Sequence, residues 1–168
     1  MAIPIAAGER RSLIWGLKPL MDQRIVDVIQ PDTGRTGISQ MMKLAHIAEA
    51  NFVSVAPHAG SLGPVAEFAA VHVMAAITNA LLIERFENEW SGRDEVIDQQ
   101  LEMRDGFVIV PDRPGLGVDI VEDAVARYPS VKNCGVPGSE AGGAYAAGTF
   151  REHQYYQMRT ERMASMHA

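Results

Sequence analysis

Four short aliphatic runs, each closed by an ionisable residue at nearly constant spacing, constrain this chain more than any other feature. The first, residues 2–7, stops at Gly8-Glu9. The second, Ile25 to Ile29, stops at Gln30-Pro31-Asp32, the third, Val53 to Ala56, at Pro57-His58, and the fourth, Ala80 to Ile83, at Glu84. The closing residues Glu9, Asp32, His58 and Glu84 follow one another at intervals of 23, 26 and 26 residues, about one βα unit each. The segments between them read as helices. Residues 17–24 form a short one, residues 38–50 place Ile38, Met41, Met42, Ala45 and Ala48 at three-and-four spacing, and residues 64–77 are apolar with proline in the first turn. Aliphatic strands without polar alternation suit a parallel sheet covered on both faces, and helical crossovers are what parallel strands require.

In such a sheet or barrel the C-terminal strand ends share one rim, where ligands bind. The four ionisable residues therefore converge on one face. A single strand-end acid serves as often as a helix cap, whereas four in phase point to a shared site. Beyond residue 90 the periodicity fades. Residues 105–117 read as a hairpin followed by a Pro/Gly loop, residues 121–128 as a short helix, residues 129–148 as irregular, and the polar tail 149–168 as helical or frayed.

Composition narrows the possible partners. The net charge of −6 argues against nucleic acid, whose backbone demands a basic excess. Cys134 is the only cysteine, so an intrachain disulfide is impossible, and with nine methionines the chain suits a reducing cytoplasm. The apolar N-terminus precedes its first basic residues, the reverse of a secretory signal, and no run approaches the ~20 apolar residues of a membrane span. A soluble cytoplasmic protein that binds neither membrane nor nucleic acid is expected.

The fragments IPIAAGER (3–10), VDVIQPD (26–32), VAPH (55–58), LGPVA (62–66), NALLIE (79–84) and VPDRPGLGVDI (110–120) occur in that order. Together they resemble the later part of the catalytic barrel in the mandelate racemase and muconate lactonizing branch of the enolase superfamily, nearest to its acid-sugar dehydratases. The resemblance covers roughly residues 2–130 and implies an α/β fold: the C-terminal half of a (β/α) TIM-type barrel of about four βα units, with an irregular C-terminal tail. It divides the chain into a partial barrel domain, 1–128, and an extension, 129–168.

The resemblance also implies roles. Glu9 matches a carboxylate ligand of Mg²⁺, the expected cofactor. Asp32 and His58 match a hydrogen-bonded dyad whose histidine is a general acid/base, and Glu84 matches the acid that hydrogen-bonds the substrate carboxylate as it becomes an enediolate. The implied reaction is removal of the proton α to a carboxylate and loss of the 3-hydroxyl as water from a small sugar acid. Racemase or cycloisomerase chemistry through the same intermediate is the first alternative, and a non-catalytic half-barrel is the second. The roles suit the residues. A histidine titrates near neutrality, a neighbouring aspartate fixes its tautomer, and a developing dianion needs a cation or a second donor.

The family's Lys-x-Lys base motif is absent from this sequence. After QPD the chain reads Thr33-Gly34-Arg35-Thr36-Gly37 where the family places a Gly-Gly pair, and the loop Ala59-Gly60-Ser61 after APH is longer than usual. The chain is expected to form a homo-oligomer or to pair with a chain carrying the remaining half-barrel, as the product of a truncated or split gene or as part of a longer sequence. His46 and His72 read as packing or surface histidines and Glu49 and Glu67 as solvated helix positions. Gly115-Leu116-Gly117 reads as a turn rather than a nucleotide loop, and Cys134 has no nucleophile motif around it.

Overall fold

The structure, a computed structural model, describes residues 3–59, 63–85 and 92–128. The chain divides into two units, 1–128 and 129–168, and all described residues belong to the first. The readings for 129–168, Cys134 included, lie outside the described residues.

Among the described residues ten elements follow in order: β1 (Ala6–Ala7), α1 (Leu13–Asp22), β2 (Val28–Ile29), α2 (Thr33–Thr36), α3 (Ile38–Ala50), β3 (Ser54–Val55), α4 (Pro64–Ala76), β4 (Met103–Arg104), β5 (Phe107–Val108) and α5 (Glu122–Arg127). Strands β1, β2 and β3 pair in parallel in that order, with Ala6 opposite Val28 and Val28 opposite Ser54. The fourth aliphatic run joins them through a parallel bridge between Val55 and Ala80, where Val55 N–H donates to Asn79 and Leu81 N–H donates to Val55. This is an α/β fold with parallel strands, and sequence order equals spatial order.

The sheet and its helices share one core. Leu17 and Met21 of α1, Ile29 of β2, Leu44, Ala45 and Ala48 of α3, Val55 of β3 and Met74 of α4 form one buried cluster. Phe68 and Val71 of α4 anchor a second with Ile97 and Leu101, so α4 joins the sheet to the segment after residue 92. Asn79 adds a polar clasp. Its Nδ2 donates to the carbonyls of Ala45 at 3.1 Å and Val53 at 2.9 Å, fixing the fourth run against α3.

Helix α3 has the expected bounds, but Leu44 replaces Ile38 on its buried face, because Ile38 opens the helix and points to solvent at 43% exposure. Helix α1 begins four residues earlier than expected. Its apolar stripe runs Ile14, Leu17 and Met21, and the core contact holds the helix together despite Pro19 inside it. The first run was expected to be buried, yet Ile3 and Ile5 are 72% and 51% exposed. Among the described residues β1 is bonded only along its β2 edge, which leaves these side chains open.

The later segment supplies two small antiparallel pairings. Strands β4 and β5 form a hairpin across Asp105-Gly106, both at positive φ, the conformation a two-residue type I′ turn needs. Residues 96–98 pair with 119–121 around the Ile97–Ile120 bridge. There the Asp98 carboxylate accepts the Asp119 N–H at 2.8 Å and pairs with Arg113 at 2.9 Å. Among the described residues no helix is long and apolar enough to cross a membrane.

Two predictions arise. Gly8 adopts φ +132°, and a Cβ there would sit 2.8 Å from Leu17 Cδ2 in the core. Gly8→Ala should therefore cost about 1–3 kcal/mol and lower Tm by several degrees, while an unchanged Tm would show that this close approach is absent. The second concerns Asp98, which the Asp119 N–H, and after it the Arg113 side chain, hold below the ordinary carboxylate range. A carboxylate depressed on folding stabilises above its unfolded pKa, and that contribution disappears as pH falls through the depressed value. Amide exchange at Asp119 should stay slow at neutral pH and accelerate on acidification below the carboxylate range. Exchange at Asp119 that is independent of pH, after correction for intrinsic rates, would contradict the tie.

Candidate active site

Because β1, β2, β3 and the fourth run are parallel, their C-terminal ends lie on one side of the sheet. Glu9 follows β1, Asp32 follows β2, His58 follows β3 and Glu84 ends the fourth run. The parallel register continues past the strands proper. An Asp32–His58 bridge extends it, with the His58 N–H donating to the Pro31 carbonyl at 3.3 Å. Backbone pairing thus places the two side chains side by side.

Asp32 is buried, at 1% exposure, and each carboxylate oxygen has work to do. Oδ1 accepts the backbone N–H groups of Gly34 at 2.9 Å and Arg35 at 3.4 Å, capping the one-turn helix α2. Oδ2 accepts the Nδ1–H of His58 at 2.9 Å and has the Arg35 guanidinium at 3.9 Å. The sequence alone left helix cap and catalytic partner as competing roles, and Asp32 fills both. A carboxylate can only accept, so Nδ1 of His58 carries the proton and Nε2 is left to give or take one. The His58 side chain is 22% exposed, enough to meet a ligand from the rim.

Glu84 reaches the same corner. Its Oε2 accepts the N–H of Ala59, the residue after His58, at 3.4 Å. Glu9 stands apart. Its Oε2 accepts the Gly8 N–H at 3.3 Å, and its Oε1 lies 3.6 Å from Arg10 Nε. The structure therefore gathers Asp32, His58 and Glu84, and leaves Glu9 on the same rim at the end of the strand beside that of Asp32, two strands from His58.

Whether these residues fit a divalent cation follows from the donor set. Mg²⁺ takes six oxygens in near-octahedral geometry, commonly one or two carboxylates with water and substrate. Among the described residues no three acidic, His or Cys side chains are grouped to hold a metal. These residues do not make a Mg²⁺ site by themselves, and Glu9 offers one carboxylate.

Glu67, expected on a solvated face of α4, is buried at 5% exposure. It pairs with Arg85 and, at 2.5 Å, with Arg93. It also lines a cavity of about 10 Å³ together with Asp32, Thr33, His58 and Ile83. Its signal was present in the sequence: α4 is apolar on nearly every side, and an acid inside such a helix must be paired. His72 proves to be a packing residue, its Nε2–H donating to the Leu116 carbonyl at 3.0 Å, while Glu49 and His46 are exposed.

Comparison with known proteins places this geometry. Residues 1–124 match the family described as enolase C-terminal domain-like. Arabinonate dehydratase of Saccharolobus solfataricus is 34% identical over 129 residues, covering 76% of this chain and 34% of that enzyme. D-galactarolactone cycloisomerase of Agrobacterium fabrum is 33% identical over 137 residues, covering 75% and 35%. Among solved structures, a mandelate racemase/muconate lactonizing enzyme from Jannaschia sp. CCS1 superposes with a TM-score of 0.71 at 30% identity, covering 79% of this chain and 34% of that one. A structure from Burkholderia xenovorans LB400, described as an L-alanine-DL-glutamate epimerase and bound to magnesium and fumarate, gives 0.70 at 35% identity, covering 75% and 31%. The chain spans about a third of the length of the curated relatives it matches. With a match extending from the first strand into α5, the chain belongs to the enolase C-terminal domain-like family.

Proposed function

We propose that this chain carries the general acid/base side of an acid-sugar dehydratase site, as the later part of a (β/α) barrel with about four βα units in residues 1–128. The observation that carries the reading is the Asp32–His58 pair at 2.9 Å on the strand-end rim, with Glu84 bonded to the next backbone N–H. Several relatives are sugar-acid dehydratases, among them D-xylonate dehydratase of Haloferax volcanii and D-galactonate dehydratase of Ralstonia pickettii, 32% and 37% identical.

The division of labour follows from the atoms. Neutral His58 can accept the substrate's α proton at Nε2, leaving the C–H electron pair in the enediolate, and the imidazolium so formed is stabilised through Nδ1–H by the buried Asp32 carboxylate. In a dehydration, protonated Nε2 delivers its proton to the departing 3-hydroxyl, which leaves as water. The enol left behind tautomerises to a 2-keto-3-deoxy acid. Glu84 uses Oε2 for the Ala59 N–H, leaving Oε1 to donate, when protonated, to the substrate carboxylate as charge builds on it. If Mg²⁺ binds, Glu9 would give it one carboxylate, the ion would neutralise that charge, and its remaining ligands would have to come from outside the described residues. A second reading, racemisation or cycloisomerisation, is supported by the cycloisomerase relative. It shares every step up to the proton delivery at Nε2 and differs in where that proton goes. Assembly with a second copy, or with a chain supplying further barrel strands, would complete the rim.

The test assays the chain with Mg²⁺ against arabinonate, D-xylonate, D-mannonate and D-galactonate, alone and mixed with the complementary N-terminal segment of a relative. We expect a 2-keto-3-deoxy acid from one of them, and His58→Asn should lower its formation by about 10²–10⁴-fold. Equal turnover by wild type and His58→Asn would overturn the role of His58. Failure of every acid to lose water or exchange its α proton, in either arrangement, would instead favour a non-catalytic half-barrel. An exchanged α proton without dehydration would favour the racemase reading.

A second variant separates orientation from stability. Asp32→Asn can still cap α2 through its carbonyl oxygen, but its NH₂ would face His58 Nδ1 and force the proton onto Nε2. Turnover should fall by about 100-fold or more with Tm nearly unchanged. A fall in Tm without loss of turnover would reduce Asp32 to a helix cap.

A further inference from the structure

We infer that Glu67 is a positioning residue, which fixes Glu84 against His58 by way of Arg85. This deepens the proposed function and rests on it, but it concerns residues that neither the family resemblance nor the relatives single out. Three contacts link these residues. His58 is followed by Ala59, whose N–H donates to Glu84 Oε2 at 3.4 Å. Glu84 is followed by Arg85, whose Nε–H donates to Glu67 Oε1. Glu67 sits in the first turn of α4, the helix that opens at Pro64, a few residues beyond His58. Glu67 Oε2 accepts from Arg93 at 2.5 Å, which ties the next described segment to the same carboxylate.

Burial strengthens the Glu67 ion pairs. Glu67 is almost fully buried, and the side chains of Arg85 and Arg93 are 21% and 11% exposed, so the pairs are little screened by water. The Glu67 carboxylate also lies near the N-terminus of α4, where the helix dipole favours negative charge. The Ala59–Glu84 bond, by contrast, is long and weak for a contact on which the site depends. That bond alone would hold Glu84 weakly. The clamp on the adjacent Arg85 holds its backbone neighbour in place. Glu67 also lines the cavity against which Asp32 and His58 sit, so the brace and the acid/base pair share one wall.

The test reads the electrostatic coupling between residues 84 and 58 by NMR titration of the His58 imidazole in the full chain, without substrate or metal. The groups facing His58 are Asp32, with Arg35 beside it, and Glu84 and Glu67. Glu67→Gln will itself shift the titration, so the quantity measured is the change caused by Glu84→Gln, first with Glu67 present and then with Gln at 67. With Glu67 present, Glu84→Gln should lower the His58 midpoint, the direction in which removal of a nearby carboxylate acts. In the Glu67→Gln background that shift should fall to less than half. A shift of equal size in both backgrounds overturns the proposal, and so does no shift in either. Glu67→Gln leaves two partly buried arginines less well compensated, and if it fails to fold the same cycle is run with Arg85→Gln, which keeps the Glu67–Arg93 pair. A merely structural role would lower Tm in that variant and leave the coupling intact. Because no turnover is measured, failure of the brace is distinguishable from failure of the dehydratase reading.

Discussion

The buried carboxylate of Asp32 is the interaction on which the site depends. At 1% exposure it would be costly to ionise alone, and it is stabilised by two backbone N–H groups of α2, the Nδ1–H of His58 and the nearby Arg35 guanidinium. Those bonds start a helix and hold a histidine at once. Remove the parallel register between the ends of β2 and β3, and the pairing of Asp32 with His58 goes too. The geometry of the acid/base pair is therefore a consequence of sheet register. Side-chain choice completes it.

The rest of the fold keeps that register in place. The cluster of Leu17, Met21, Leu44, Ala48 and Val55 packs α1 and α3 against the sheet, and Asn79 pins the fourth run to α3 through two carbonyls. Helix α4 then links the sheet to the later segment through Phe68 and Val71. It also carries Glu67, so one helix contributes both apolar packing and the ionic clamp on Arg85. Such a buried clamp is weak evidence for stability and better evidence for holding one arrangement among several.

Much of this was legible in the sequence. Spacing alone placed β1, α1, β2, α3, β3 and α4 in order and gave the extent of α3, because buried parallel strands and amphipathic helices leave strong periodic signals. The fourth run, read as a buried strand, makes a single bridge at Ala80 with Leu81 and Leu82 exposed, and the one-turn α2 left no periodic signal. Helix α1 starts four residues before the segment that reads as helical, because Ile14 extends the stripe of Leu17 and Met21 onto the core. Ile3 and Ile5 looked like core since sequence cannot say which edge of a strand is covered. Glu67 looked solvated because an acid in a helix usually is, and its partners Arg85 and Arg93 lie 18 and 26 residues away. Distance in sequence hides an ion pair that only the fold brings together.

The central claim is that Asp32 holds His58 with its proton on Nδ1, leaving Nε2 as the working atom. The most direct measurement is the ¹⁵N spectrum of the His58 ring in the neutral form of the full chain. A protonated Nδ1 and a deshielded, unprotonated Nε2, lost together in Asp32→Asn, are the predicted result. A neutral ring protonated on Nε2 in the wild-type chain would contradict the account.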